Sequence, residues 1–158
     1  MKKPMVLVVT LLALLMATLP VVQAQTSASV TYTEAEINEV FWVTNPSNRH
    51  LSSVYADLQA ENEGQVTISA VYSWRTRAGV RSADVAVVLS PRISNGRLYW
   101  DVEAITANGE PASDEIVRQV NSHLSATWRR WIASNAPAGI LTGISITDDA
   151  ITYHYTPR

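Results

Sequence analysis

The hydrophobic pattern predicts an α+β domain: a short N-terminal helix, an antiparallel β-meander of about four strands, a long amphipathic helix packed across the sheet, and a C-terminal β-hairpin. Three observations carry this expectation. Apolar and polar residues alternate through residues 54–104 in runs separated by turn residues, the period of half-buried strands. From Ile116 to Ile132 the apolar residues recur every fourth position instead, a helical spacing. Successive strands joined by short turns pair antiparallel, and such a sheet buries one face under another layer.

The chain begins with a segment that stands apart from this pattern. Lys2 and Lys3 precede an almost unbroken apolar run from Val6 to Leu19, and Val22-Gln23-Ala24 places small residues where a secretory signal peptidase needs them. Residues 1–24 are therefore expected to be a signal peptide cleaved before Gln25, leaving residues 25–158 as one secreted domain, periplasmic or extracellular. The apolar run is near the lower limit for a membrane span. With Lys2 and Lys3 removed, the 12 bases fall to 10 against 14 acids, a net charge of 10 − 14 = −4. An acidic balance argues against nucleic acid as partner, because phosphate contacts need a basic face. The chain holds no cysteine, which removes disulfides, thiolate metal sites and cysteine nucleophiles from consideration.

Each element has its own signal. Thr33-Glu34-Ala35-Glu36 reads as a capping box, with Ile37, Val40 and Phe41 at helical spacing, so a helix is expected over Glu34–Trp42 and ended by Asn45-Pro46-Ser47-Asn48. Val54, Ala56, Leu58 and Ala60 mark the first strand of the meander, before a turn at Glu63-Gly64. Val66, Ile68, Ala70, Tyr72 and Trp74 mark the second, and Ala83, Val85, Val87 and Leu89 the third, which Pro91 ends. Asn95-Gly96 is a strong two-residue hairpin signal, and Leu98, Trp100, Val102 and Ala104 form the apolar side of the fourth strand. Asn108-Gly109-Glu110-Pro111 is expected to break the sheet. Ser113 can cap the long helix, with Asp114 and Glu115 favouring the positive end of its dipole, and Pro137 and Gly139 end it. Ile144 and Ile146 pair with Ile151, Tyr153 and Tyr155 around Asp148-Asp149.

The residues offer little for catalysis. No serine sits in a nucleophile elbow or a Ser-x-x-Lys box, and no glycine loop could cradle phosphate. His50, His123 and His154 lack partners at metal-ligand spacing. Asp101 and Glu103 lie two apart on a strand and could act as a carboxylate pair, yet they alternate with Trp100, Val102 and Ala104 and so are expected to face solvent. Asp84 is read in the same way, and Asp148-Asp149 as turn chemistry. The expectation is a protein that is not an enzyme and uses no metal or cofactor; a hydrolase using Asp101 or His123 is the weaker reading.

Binding chemistry is better represented. Trp74-Arg75-Thr76-Arg77, with Arg81 nearby, gathers three guanidinium groups and an indole at one hairpin tip. Such a group can hold phosphate or carboxylate at a membrane interface, or it can keep a sheet edge soluble. Trp128-Arg129-Arg130-Trp131 can anchor a ligand, or cap the core while its arginines complement the helix C-terminus. Small residues (Ala56, Ala60, Ala70, Ala83, Ala86 and Ala104) under a long helix either pack closely or leave a groove.

Thr31-Tyr32-Thr33-Glu34-Ala35-Glu36-Ile37-Asn38 is similar to the T-E-A-x-x-N opening of small exported bacterial proteins, and Ile144–Ile151 looks like their closing strand pair with an acidic turn. On these segments the chain resembles the LmeA-like and YceB-like envelope proteins, whose architecture is similar to half of a tubular lipid-binding (TULIP-type) module. The resemblance implies an envelope protein that handles lipid or glycolipid, and it carries no catalytic residues. Unlike those proteins, this chain has short predicted strands and no lipobox cysteine. The expected function is non-enzymatic binding of a lipid-like or amphipathic ligand in a groove between sheet and long helix. Trp74, Trp100, Trp128 and Trp131 would be the anchors, with Arg75 and Arg77 near the headgroup and with contact to a membrane surface. The alternative is a structural or protein-interaction module of the cell envelope, with a filled core and an envelope protein as partner.

Overall fold

Thr33 does cap the first helix: its hydroxyl accepts the Glu36 N–H at 3.2 Å while the Glu36 carboxylate accepts the Thr33 N–H at 2.8 Å. The computed structural model, which describes residues 27–41, 50–61 and 64–157, surrounds that helix with far more strand than the pattern predicts. The element order is β1 (Ala28–Thr33), α1 (Glu34–Val40), β2 (Leu51–Gln59), β3 (Gln65–Thr76), β4 (Gly79–Ser94), β5 (Arg97–Ala107) and β6 (Glu110–Pro111). A long helix α2 follows, in three segments (Asp114–Val120, Asn121–Ser125 and Ala126–Asn135), then β7 (Ile140–Ile146) and β8 (Ala150–Thr156). The expected signal peptide, Trp42 at the end of the first helix and the Asn45–Asn48 stop lie outside the described residues. No helix among the described residues is long and apolar enough to cross a membrane.

The α+β expectation is overturned. The protein is mostly β, 58% strand, in two antiparallel sheets of five and three strands with two helices. The five-stranded sheet runs β2-β3-β4-β5-β6 and the three-stranded sheet β1-β8-β7. Two features escaped the pattern. Residues 28–33 pair with β8 from Ala28↔Tyr155 to Thr33↔Ala150, so the C-terminal hairpin is two-thirds of a second sheet. Asn108-Gly109, expected to break the sheet, has φ of 53° and 82° and turns β5 tightly into β6. Ser113 occupies the N-cap of α2, but its side chain makes no capping hydrogen bond.

Bulges shift which residues face inward. On β5 the pairing passes from Val88↔Ala104 to Leu89↔Val102, leaving Glu103 extra. A bulge residue reverses the alternation, so Ala104 is exposed while Ile105, opposite Val87, packs against the core. Ala60 is exposed, and Ala86 lies on the sheet's outer face opposite Ser69 and Thr106. The small-residue surface expected beneath the helix is thus reduced to Ala56, Ala70 and Ala83, all buried.

The four-residue spacing of α2 has a direct structural consequence. A strict period of four drifts by about 40° per step around an α-helix of 3.6 residues per turn. Asn121–Ser125 instead forms a wider π-helical turn, which unwinds the helix locally and holds the stripe against the sheet. Val120, Leu124, Trp128 and Ile132 are all buried.

Helix α1 closes the open edge of the large sheet. The Asn38 amide donates to the Ala56 carbonyl and its oxygen accepts the Ala56 N–H, both at 2.7 Å. Glu34 accepts the Leu58 N–H at 2.8 Å and bonds the Tyr55 hydroxyl. Asp148, in the β7–β8 turn, accepts the Ala60 N–H at 2.9 Å. These side chains satisfy edge groups that would otherwise template pairing with another chain.

Asn38→Ala should lower the unfolding free energy by about 1–3 kcal/mol, the cost of leaving buried backbone groups unpaired, and should promote self-association. Glu39→Ala, at an exposed position one residue on, should change little in the same urea titration. A second expectation concerns alkaline pH. Burial pushes the Tyr153 phenol well above its ordinary value. An unfolded tyrosine ionises near pH 10, so above that pH the folded state retains a proton the unfolded chain has lost, and stability falls as pH rises. Thermal melts from pH 8 to 11 should show a shallower decline for Tyr153→Phe than for the unaltered protein.

Candidate functional site

A concavity lies where strand β5 leaves the shelter of the sheet. Beyond Thr106 and Ala107, β5 has no ladder partner on its outer side among the described residues, because β6 is two residues long. Asn95-Gly96 turns β4 into β5 with φ of 52° and 69°, both in the left-handed region that this tight hairpin turn requires. Strand β7 then crosses over that turn: the Leu141 N–H reaches the Gly96 carbonyl at 3.3 Å, and a side chain at Gly96 would meet Ile140 at 2.8 Å. The C-terminal half of α2 approaches from the other side. Arg129 donates from Nε and Nη2 to the Trp100 carbonyl at 3.3 and 3.1 Å, so a side chain satisfies the unpaired strand edge.

The space between these three elements is a groove of about 660 Å³, within the size range of small-molecule sites. Leu98, Trp100, Ile132, Ala133, Pro137 and Leu141 give it an apolar lining. Its charged residues are Arg97, Arg129 and Asp101. Asp101 is engaged by Arg92, Nε to Oδ2 at 2.7 Å, with the Arg92 guanidinium also 5.1 Å from the Tyr99 ring centre. The Arg92 hydrogen bond, with smaller help from the charges of Arg92 and Arg129, holds the Asp101 carboxyl below the usual carboxylate range. Asp101 is therefore an anion with partners, poorly suited to act as a proton acceptor. Among the described residues this is the sole ion pair, so Arg97 keeps its charge available to a ligand.

The six residues expected to bind divide into two groups. Trp100, Trp128 and Trp131 come together: Trp128 meets Trp100 edge-to-face at 5.3 Å and stacks with Trp131 at 5.5 Å. Trp128 is 0% exposed and Trp131 4%, so both are core, and only Trp100 also borders the groove. Trp74, Arg75 and Arg77 sit at the β3–β4 hairpin. From Val80, opposite Arg75, to Pro91, opposite Trp100, strand β4 runs roughly 35 Å at ordinary strand rise. One small ligand cannot touch both groups. The groove's remaining lining was not legible in the sequence, because it forms only when β7 crosses the β4–β5 turn; Pro137 and Gly139 signal a helix end, and nothing nearby signals the crossing.

The other polar residues are dispersed. His50 Nδ1 lies 3.0 Å from the Ser73 carbonyl and His154 Nε2 3.3 Å from the Ser145 hydroxyl, while His123 sits in the π-helical turn. Among the described residues no group of three histidines or carboxylates is placed to hold a metal ion.

Trp128→Ala should cost about 3–5 kcal/mol, the range for a large core aromatic. Trp128→Phe should cost less than half of that in the same denaturant titration. It keeps a ring and removes an indole N–H that is buried without a hydrogen-bond partner among the described residues. Compared with known family models, curated proteins and solved structures, the chain matches none.

Proposed function

We propose that the protein is an exported, non-catalytic domain that binds a lipid-like or amphipathic ligand in the groove between β5 and the C-terminal half of α2. The observation that carries this reading is the juxtaposition of an apolar lining (Leu98, Trp100, Ile132 and Leu141) with Arg97, which has no ion-pair partner among the described residues. Apolar walls with few polar groups suit a ligand that has a hydrocarbon part, and a guanidinium fork suits a carboxylate or phosphate at its other end. The lipid-handling role implied by the resemblance of Thr31–Asn38 and Ile144–Ile151 to exported envelope proteins points the same way. Secretion with cleavage before Gln25 is part of the proposal. The densely packed aromatic core favours a second reading, an interaction module of the envelope that carries no small ligand.

The test uses the full chain expressed through its own N-terminus in a bacterium and purified without detergent. Native mass spectrometry should give the mass of Gln25–Arg158 with an added lipid-sized mass, and the purified protein should take up a fluorescent fatty acid. Ala133→Trp places a large side chain from an exposed helix position into the groove and should weaken that uptake at least about 10-fold, equivalent to roughly 1.4 kcal/mol, with an unchanged melting temperature. A clean apo mass together with no uptake would overturn the ligand reading in favour of the interaction module.

A further inference from the structure

Among the described residues, the β3–β4 hairpin projects beyond both of its neighbours. Strand β2 pairs with β3 only as far as Leu51↔Tyr72, and β5 pairs with β4 only from Ala107↔Val85. Past these points Ser73–Thr76 and Gly79–Ser82 continue as a two-stranded ribbon, ending at Thr76↔Gly79. The Ser73 N–H donates to the His50 carbonyl, the Asn108 N–H to the Asp84 carbonyl and the Asp84 N–H to the Asn108 side-chain oxygen, which holds its root. At its end a side chain on Gly79 would meet nothing within 4 Å.

The ribbon carries a charge unlike the rest of the protein. Arg75, Arg77 and Arg81 lie within it, and residues 73–82 contain no acid. The chain's other nine bases face all 14 of its acids. None of these three arginines has an ion-pair partner among the described residues. Apolar groups sit beside them. Val80 is 70% exposed, the highest value among the large hydrophobic side chains described. Directly paired residues in an antiparallel ribbon share a face. The register Arg75↔Val80 and Trp74↔Arg81 therefore puts one arginine and one apolar side chain on each face. The Trp74 indole is held by stacking on Tyr72, with ring centres 5.5 Å apart.

We infer that this ribbon docks the protein, tip first, on an anionic phospholipid bilayer. Arginines beside Val80 and Trp74 match a surface that offers phosphate oxygens and, a few ångströms deeper, hydrocarbon. A nucleic acid would meet a narrow strip of three charges on an otherwise acidic body, too little basic surface for phosphate-backbone binding. The same acidic body is repelled by the bilayer and so orients the approach through the tip. This docking is independent of the groove, which lies at the opposite end of β4.

The experiment is co-sedimentation of the purified full-chain product with vesicles of phosphatidylcholine alone or with one-quarter phosphatidylglycerol, at low and high salt. Binding is expected only to the anionic vesicles and should weaken with salt. A basic residue near an anionic leaflet contributes about a five-fold gain in affinity, so a variant with Arg75→Ala, Arg77→Ala and Arg81→Ala together should bind roughly 100-fold more weakly. Val80→Asp should bind at least about 10-fold more weakly, with both variants keeping the parent's melting temperature, since all four positions are exposed. No binding to anionic vesicles, equal binding by the triple variant, or full binding by Val80→Asp would each overturn the proposal.

Discussion

Trp128 is the piece that locks the layers together. Its ring meets Phe41 beyond α1 and Trp100 on β5, each edge-to-face at 5.3 Å, and stacks on Trp131 at 5.5 Å. Trp131 passes the contact to Tyr32 on β1 at 6.0 Å, and Tyr32 to Tyr153 on β8 at 6.1 Å. One continuous aromatic path thus joins the large sheet, both helical regions and the small sheet. Edge-to-face pairs are directional as well as apolar, so this path sets the orientation of α2 and the position of the small sheet. The π-helical turn at Asn121–Ser125 follows from that constraint. Without it the Ile116–Leu124 stripe and the Trp128–Ile132 stripe could not face the same surface.

The second constraint is the exposed edge of β2. A β-strand with free N–H and C=O groups invites pairing, and here the chain closes that edge with side chains instead of another strand. Glu34 and Asn38 come from the segment after β1, and Asp148 from the turn before β8. β1 and β8 are hydrogen-bonded neighbours, so the N- and C-terminal regions must associate before the cap is complete. The small sheet is therefore tied to the large one by polar contacts at the edge and aromatic contacts in the interior. The Tyr32 hydroxyl adds a third tie by donating to the Asn135 carbonyl at 2.8 Å, which satisfies one of the last carbonyls of α2.

Strand periodicity in β3 and β4 was legible in the sequence because both run through the middle of the sheet, where one face is buried along most of the length. Val66, Ile68 and Ala70 on β3, and Ala83, Val85, Val87 and Leu89 on β4, are all buried. The Thr33–Glu36 capping box and the Asn95-Gly96 turn were legible because each is a local motif with its own chemistry. β1 was not: Ala28, Val30 and Tyr32 are only partly buried, and the strand exists through pairing with residues more than 100 positions away. The same nonlocality hid the second sheet and made the protein look like one sheet with one helix. The groove was hidden for a related reason, since its lining comes from β5, α2 and β7. Of the residues expected to bind, Trp100 was identifiable from sequence as an apolar strand residue, but its position at the end of the unpaired edge was not.

Strand β4 also explains why the protein has two chemically different ends. Sixteen residues long, it outruns β2 and β5 at the hairpin end, and at its other end passes under β7. Where β7 and α2 border the end of the β4–β5 hairpin, the side chains that line the space are mostly apolar. Where no described element covers the β3–β4 ribbon, a row of apolar side chains would make the protein aggregate, and arginines alternate with them instead. Charged side chains are one way to keep a sheet edge soluble. Three guanidinium groups around an exposed Val80, on a chain whose other charges sum to an acidic balance, also give the ribbon the chemistry of the proposed docking on an anionic surface.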